Sequence, residues 1–167
     1  MRIYLIGFMG SGKSSLGARM ARKLNYTFLD LDAEVENTSG LTIPELFDQK
    51  GEAYFRELER DALHKTLRHS HVVVATGGGT PCYFNNMVFM KTAGKTVYLK
   101  MNPLSLLDRL VNARRRRPLL QDFDQDTLLD YIRNKLAERE ASYLQADCII
   151  KGESVKPGQV IILVFGE

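Results

Sequence analysis

The sequence predicts an α/β fold: five mostly parallel strands in one sheet, with helices on both faces. Three observations carry this. Strand-length apolar runs alternate with helix-period segments along the whole chain. The run His71-Val72-Val73-Val74-Ala75 is continuous and β-branched, as befits a central parallel strand covered on both faces. The first apolar run, Arg2-Ile3-Tyr4-Leu5-Ile6, leads straight into a glycine-rich loop and then a helix.

That loop, Gly7-Phe8-Met9-Gly10-Ser11-Gly12-Lys13-Ser14, fits G-x-x-x-x-G-K-[ST], the phosphate-binding P-loop. The helix after it runs from Ser15 to Leu24, with Leu16, Met20 and Leu24 on one face. The second strand is Thr27 to Leu31, ending in Asp30 and Asp32. Thr42-Ile43-Pro44-Glu45 has the form of a capping box, and Gly51 should close that short helix. A longer helix spans about Glu52 to Leu67, with Phe55, Leu58, Ala62 and Leu63 on one side and Arg56, Glu59 and Arg60 on another. The third strand, His71 to Ala75, runs into Thr76-Gly77-Gly78-Gly79-Thr80-Pro81, and the next helix ends near Gly94. Thr96 to Leu99 is the fourth strand. Asn102 and Pro103 read as N-cap and first residue of a helix reaching Val111. Residues 112–126 are irregular and rich in Arg and Asp; a long helix spans Thr127 to Leu144. Cys148-Ile149-Ile150 is the last strand, and Pro157 opens a closing helix with Val160, Ile161 and Val164 inward.

At 167 residues the chain suits one domain, 1–167, with a substantial core. Lys and Arg number 23 against 20 Asp and Glu, a net charge of +3. That is too mild to argue for nucleic acid, but it suits small anionic ligands. No apolar run is long enough to span a membrane. The N-terminal apolar segment belongs to the strand before the loop, not to a signal peptide. Cys82 and Cys148 lack zinc-type spacing and read as free thiols of a reducing, cytoplasmic compartment. His64, His69 and His71 show no metal-ligand spacing.

The candidate chemistry clusters after the strands, where ligands of open α/β sheets bind. Glycines in the loop let backbone N–H groups approach phosphate oxygens, and the helix start adds unpaired donors. Lys13 is placed to neutralise the outer phosphates and the Ser14 hydroxyl to ligate Mg²⁺. Read as strand residues two apart, Asp30 and Asp32 face the same way. One could hold Mg²⁺ or its waters, the other accept a proton from a substrate hydroxyl; a solvated turn is the alternative, and a P-loop expected on the neighbouring first strand favours the chemical role. Gly77-Gly78-Gly79 offers bare backbone to a ligand, or is simply a flexible turn. Arg56, Arg114 to Arg117 and Arg139 are candidates for a carboxylate and for the transferred phosphate, although for any single arginine a solvated face is the better reading. The irregular stretch reads as a lid anchored by Pro118-Leu119-Leu120.

Together these pieces resemble shikimate kinases. The matching segments are Gly-Phe-Met-Gly-Ser-Gly-Lys-Ser-Ser at 7–15, Leu-Asp-Leu-Asp at 29–32, Phe-Arg-Glu-Leu-Glu at 55–59, Gly-Gly-Gly at 77–79, Arg-Pro-Leu-Leu at 117–120, and Arg139. They occur in the family's order over nearly the whole chain. The resemblance implies ATP-dependent phosphorylation of the 3-hydroxyl of shikimate, a step toward the aromatic amino acids. It implies a nucleoside-monophosphate-kinase-like P-loop fold with a mobile lid at about 112–126 and substrate-binding helices at about 32–67. It further implies that Gly10, Ser11, Gly12, Lys13, Ser14 and Ser15 hold the ATP phosphates, that Ser14 ligates Mg²⁺, and that Asp30 supports the metal's water shell. Asp32 would bind the substrate hydroxyls as base or orienter. Arg56, Gly77, Gly78, Gly79 and Arg139 would surround shikimate, with Glu59 positioning the pocket and Arg117 reaching from the lid to the phosphates. Arg109, Arg114 and Pro157 are candidates to flank the adenine. A monomer is expected.

Two rivals share part of this pattern. Another small-molecule P-loop kinase, such as a gluconate kinase, would have the same loop and lid. A GTPase-type switch finds a formal D-x-x-G in Asp48-Gln49-Lys50-Gly51, but this follows a helix, and Asn134-Lys135-Leu136-Ala137 does not make the guanine-reading N-K-x-D.

Overall fold

The computed structural model describes residues 1–113 and 123–166. One sheet of five parallel strands organises them: β1 (Arg2–Ile6), β2 (Thr27–Asp30), β3 (Val72–Ala75), β4 (Lys95–Lys100) and β5 (Cys148–Lys151), in the order β2-β3-β1-β4-β5. Helices α1 (Lys13–Leu24), α2 (Leu31–Ser39), α3 (Ile43–Lys65), α4 (Asn86–Ala93), α5 (Pro103–Asn112), α6 (Gln125–Tyr143) and α7 (Pro157–Phe165) connect and follow them.

Strand periodicity of two divides the core into two layers. Ile3, Leu5, Val73, Val97 and Leu99 point to one face, where Leu16, Met20 and Ala21 of α1 and Val160 and Val164 of α7 cover them. Tyr4, Ile6, Val72, Val74 and Tyr98 point to the other, packed by side chains of α2 to α6 such as Val35, Leu63, Met90, Leu106 and Ile132. Both faces are therefore buried at the centre of the sheet, which is why β1 and β3 read as continuous apolar runs.

Two expectations need correction. The first concerns sheet order: β1 and β2 are not neighbours, because β3 pairs with both and lies between them. The second concerns Asp30 and Asp32. The strand ends at Asp30, and Leu31 already begins α2, so the two-residue period does not apply. Asp30 is instead the N-cap of α2, its Oδ1 accepting the Asp32 N–H at 3.1 Å.

Elsewhere the local signals work as chemistry. Thr42 and Glu45 form the reciprocal capping box: Glu45 Oε2 accepts from Thr42 N at 2.7 Å and Thr42 Oγ1 from Glu45 N at 3.4 Å. Gly51 interrupts α3 as expected, with φ 80° and ψ 168°, so that Ile43–Lys65 is two helices meeting at a kink. Asn102 caps α5 by accepting from Ser105 N at 2.9 Å. Helix α6 starts two residues before the expected Thr127, because Asp124 accepts from the Thr127 N–H at 2.8 Å and caps it. Of the expected lid, residues 114–122 lie outside the described residues, and with them Arg114, Arg117 and the Pro118-Leu119-Leu120 anchor. Cys82 and Cys148 are free thiols. No helix among the described residues is long and apolar enough to cross a membrane.

Candidate active site

The loop between β1 and α1 turns through left-handed backbone at Gly10 (φ 80°) and at Gly12 (φ 90°), the residue that caps α1. A side chain in that conformation is strained, so glycine is needed there. No side chain caps this helix end, which leaves its first-turn amides facing outward for an anion. Lys13 is buried, its Nζ donating to Gly7 O at 2.8 Å and Phe8 O at 2.9 Å, with Ser11 Oγ at 3.5 Å. The lysine thus braces the loop from beneath while keeping its charge within it. Arg109 braces it from above. Its Nη1 donates to Ser11 O at 3.1 Å, and its Nη2 to Gly152 O at 3.2 Å and Glu153 O at 2.8 Å, tying the loop to the segment after β5.

A cleft of about 280 Å³ opens over this loop. Gly10, Gly12, Lys13, Ser14 and Ser15 line it from one side, Asp30, Asp32 and Gly78 from the other, with Arg109 at the rim. Ser11 is buried and does not line it, and neither does Pro157, which is buried at the start of α7. The Ser14 hydroxyl donates to Asp30 Oδ2 across the floor. These are hard oxygen donors, the kind Mg²⁺ takes while keeping most of its shell as water and phosphate. Among the described residues no group of three or more His, Cys, Asp or Glu gathers to hold a metal, here or elsewhere.

Beyond Gly78 the remaining candidates converge on the triple glycine, which follows the C-terminal end of β3. A methyl group on Gly77 would lie 2.6 Å from Glu59 Oε1 and 3.1 Å from Asp32 Oδ1. On Gly78 it would lie 3.3 Å from both Arg139 Nη1 and the Met9 amide nitrogen. On Gly79 it would meet Arg56 Nη2 at 2.6 Å and Nη1 at 2.7 Å. Asp32, Arg56, Glu59 and Arg139 therefore surround three consecutive residues that also touch the P-loop. The Tyr143 hydroxyl donates to Gly78 O and holds the turn from behind.

Arg56 and Glu59 correct the sequence reading. That reading set them on another side of the helix from Phe55, Leu58, Ala62 and Leu63. Both are buried, Glu59 to 1 % exposure, and Arg56 Nη1 donates to Glu59 Oε2 at 2.8 Å. Glu59 Oε1 accepts from Thr80 Oγ1 at 2.6 Å. A buried pair stays charged only when partners satisfy it, and here each charge has at least two. Burial alone would lower the Arg56 pKa, but Glu59, Tyr83 and Glu52 together outweigh it and push it up. Residues that the sequence reading missed are Glu52, Thr80, Tyr83 and Tyr143. Glu52 was legible as the i−4 partner of Arg56; the tyrosines and Thr80 left no pattern.

A substitution follows from the tight approach at Gly79. Gly79→Ala should leave the fold intact and displace the Arg56 guanidinium. Because a displacement near 1 Å in a substrate clamp is costly, kcat/KM for the acceptor should fall about ten- to a hundredfold, with the KM for ATP unchanged. Steady-state kinetics with each substrate varied in turn check this.

A family model described as shikimate kinase matches residues 9–165. The chain belongs to the shikimate kinase family. A shikimate kinase from Bacteroides thetaiotaomicron is 46% identical over 156 residues, covering 93% of this chain and 89% of the relative. A crystal structure of shikimate kinase from that organism superposes with a TM-score of 0.95 at 41% identity, covering 100% of this chain and 99% of the other. The shikimate kinase of Acinetobacter baumannii, solved in complex with shikimate, gives a TM-score of 0.89 at 32% identity over 99% of this chain and 93% of that one. Membership bears out the fold class and the kinase activity expected above, and removes the gluconate kinase and GTPase-type rivals.

Proposed function

We propose that the chain transfers the γ-phosphoryl group of ATP to the 3-hydroxyl of shikimate within the cleft between the P-loop and the triple glycine. The observation that carries this reading is the convergence of Asp32, Arg56, Glu59 and Arg139 on Gly77–Gly79, opposite the uncapped start of α1. One wall is built for polyphosphate and the other for a small hydroxylated carboxylate.

On this reading the amides from Gly10 to Ser15 cradle the β- and γ-phosphates. Lys13 offsets the charge that spreads over the equatorial oxygens as the bond to the leaving group loosens. Arg56 and Arg139 hold the shikimate carboxylate by charge-assisted hydrogen bonds. Glu59 fixes Arg56, and Asp32 aligns the attacking hydroxyl and takes its proton. Ser14 and Asp30 would hold Mg²⁺, Asp30 through water. Bound there, the ion would supply charge neutralisation on the nucleotide's outer phosphates. Arg117 belongs to the lid at about 112–126, which closes over the phosphates and excludes water from the transfer. Arg109, already braced against the loop, flanks the base.

The test is ADP release by the purified chain with ATP, Mg²⁺ and one acceptor at a time. Shikimate should support turnover, and gluconate and quinate should not. Turnover with gluconate in preference to shikimate would reject the acceptor; ADP release indifferent to acceptor would reject the second wall altogether. In the same assay EDTA should abolish turnover, and Mg²⁺ should restore it.

A further inference from the structure

Arg56 carries more anchors than burial requires. Its Nε and Nη2 both donate to Glu52 Oε1, at 3.3 and 3.2 Å, in addition to the Nη1 bond to Glu59. The Tyr83 ring lies 4.0 Å from the guanidinium carbon, and the Tyr83 hydroxyl donates to the same Glu52 oxygen at 2.8 Å. Glu59 is shut into the core, but the Glu52 side chain is 50% exposed, where a glutamate has no need of a partner.

The geometry of the guanidinium gives this arrangement a purpose. Its planar fork offers two edges with paired donors, a side edge (Nε and Nη2) and an end edge (Nη1 and Nη2). Glu52 takes the side edge. The end edge faces Gly79, close enough that a single methyl there would touch both nitrogens. Tyr83 covers one face and prevents the plane from tipping. Glu52 is well suited to a permanent hold, because the hydrogen bond from Tyr83 keeps its carboxyl below the usual carboxylate range and therefore charged.

We propose that Glu52 and Tyr83 are positioning residues that clasp Arg56, closing its side edge so that only its end edge is presented to the carboxylate of the acceptor. This rests on the reading of Arg56 as a carboxylate grip. The clasp acts on affinity for the acceptor and touches neither ATP nor the reacting oxygen. Without it the guanidinium can roll, and an acceptor must reorder it on binding.

The experiment compares Glu52→Ala, Glu52→Gln, Tyr83→Phe and the double variant Glu52→Ala/Tyr83→Phe, with shikimate and ATP varied separately. Glu52→Ala should raise the KM for shikimate about five- to tenfold, the range of one lost charge-assisted bond at a partly exposed site. Its kcat, its KM for ATP and its melting temperature should stay near native. Glu52→Gln keeps an acceptor oxygen and should recover part of the loss. Tyr83→Phe keeps the stacking ring and should raise the KM less, about two- to threefold. In the double variant the Phe should add nothing to the Ala, because the hydroxyl has already lost its partner. Unchanged shikimate KM in both single variants overturns the clasp. So does a loss that appears equally in the ATP KM, or one that merely follows melting temperature, since either marks a general structural role. Arg56→Ala is the separate control: if it leaves the shikimate KM alone, the carboxylate grip itself is wrong and the clasp falls with it.

Discussion

Asp32→Asn should lower kcat about 10²- to 10⁴-fold while leaving ATP affinity near native. The asymmetry is the informative part. Asp32 sits in the first turn of α2, its amide accepted by Asp30 and its Oδ1 directed to the Gly77 side of the cleft. It lines the same cleft as Lys13 and Ser14 but belongs to the opposite wall. A hydroxyl attacking phosphorus becomes a good nucleophile only as its proton departs, and a carboxylate can receive that proton where an amide cannot. Asparagine preserves the volume and one acceptor oxygen, so the acceptor should still bind. Isothermal titration with ATP and single-turnover kinetics with shikimate separate the two effects. Near-native single-turnover rates in the variant would remove Asp32 from proton transfer and leave it at most an orienting contact.

The sequence showed Asp32 as a candidate for a reason that the structure revises. Periodicity was carried one residue too far: at Leu31 the chain leaves the strand, and the pair is organised by a helix cap instead. Both carboxylates still reach the cleft, because a cap residue and the first turn of its helix occupy the same sheet edge as the strand end. The placement of β2 next to β1 failed for a different cause. Parallel strands are joined by crossovers, and their order in the chain does not dictate their order in the sheet; β3 takes the middle place. Local signals fared better. The capping box at Thr42, the break at Gly51 and the cap at Asn102 depend on neighbours within a few residues, and all three appear as expected. Arg56 and Glu59 show the limit of amphipathic sorting. A charged residue on a helix is assigned to solvent by default, and only the third dimension supplies the triple glycine, Thr80 and Tyr83 that let the pair be buried. Gly77 to Gly79 was ambiguous in sequence for the same reason: what makes each glycine necessary is a side chain distant in the chain, Glu59 for Gly77, Arg139 for Gly78 and Arg56 for Gly79.

Lys13→Met should reduce kcat about 10²- to 10³-fold, the cost of removing one preorganised charge from a site where negative charge is redistributed in the transition state. Methionine approximates the length of the stem and its apolar packing, so the experiment isolates the ammonium. The structure adds a second expectation. Lys13 also donates to the Gly7 and Phe8 carbonyls within the loop, and losing a charged donor to buried carbonyls leaves them short of partners. The melting temperature should therefore fall by a few degrees even without nucleotide, and ATP affinity should weaken as well as turnover. The two consequences are separable. Lys13→Arg restores a cation but not the compact ammonium that fits between two carbonyls; it should recover less of the stability than of the charge-dependent rate. If Lys13→Met turned over at the native rate with the loop intact by circular dichroism, the charge would have no part in the transfer, and catalysis would have to rest on the loop amides, the ion and the lid alone. If instead kcat fell and ATP binding did not, the lysine would act only once the phosphoryl group begins to move, which is the strongest form of the claim that this loop is complementary to the transition state and not merely to the nucleotide.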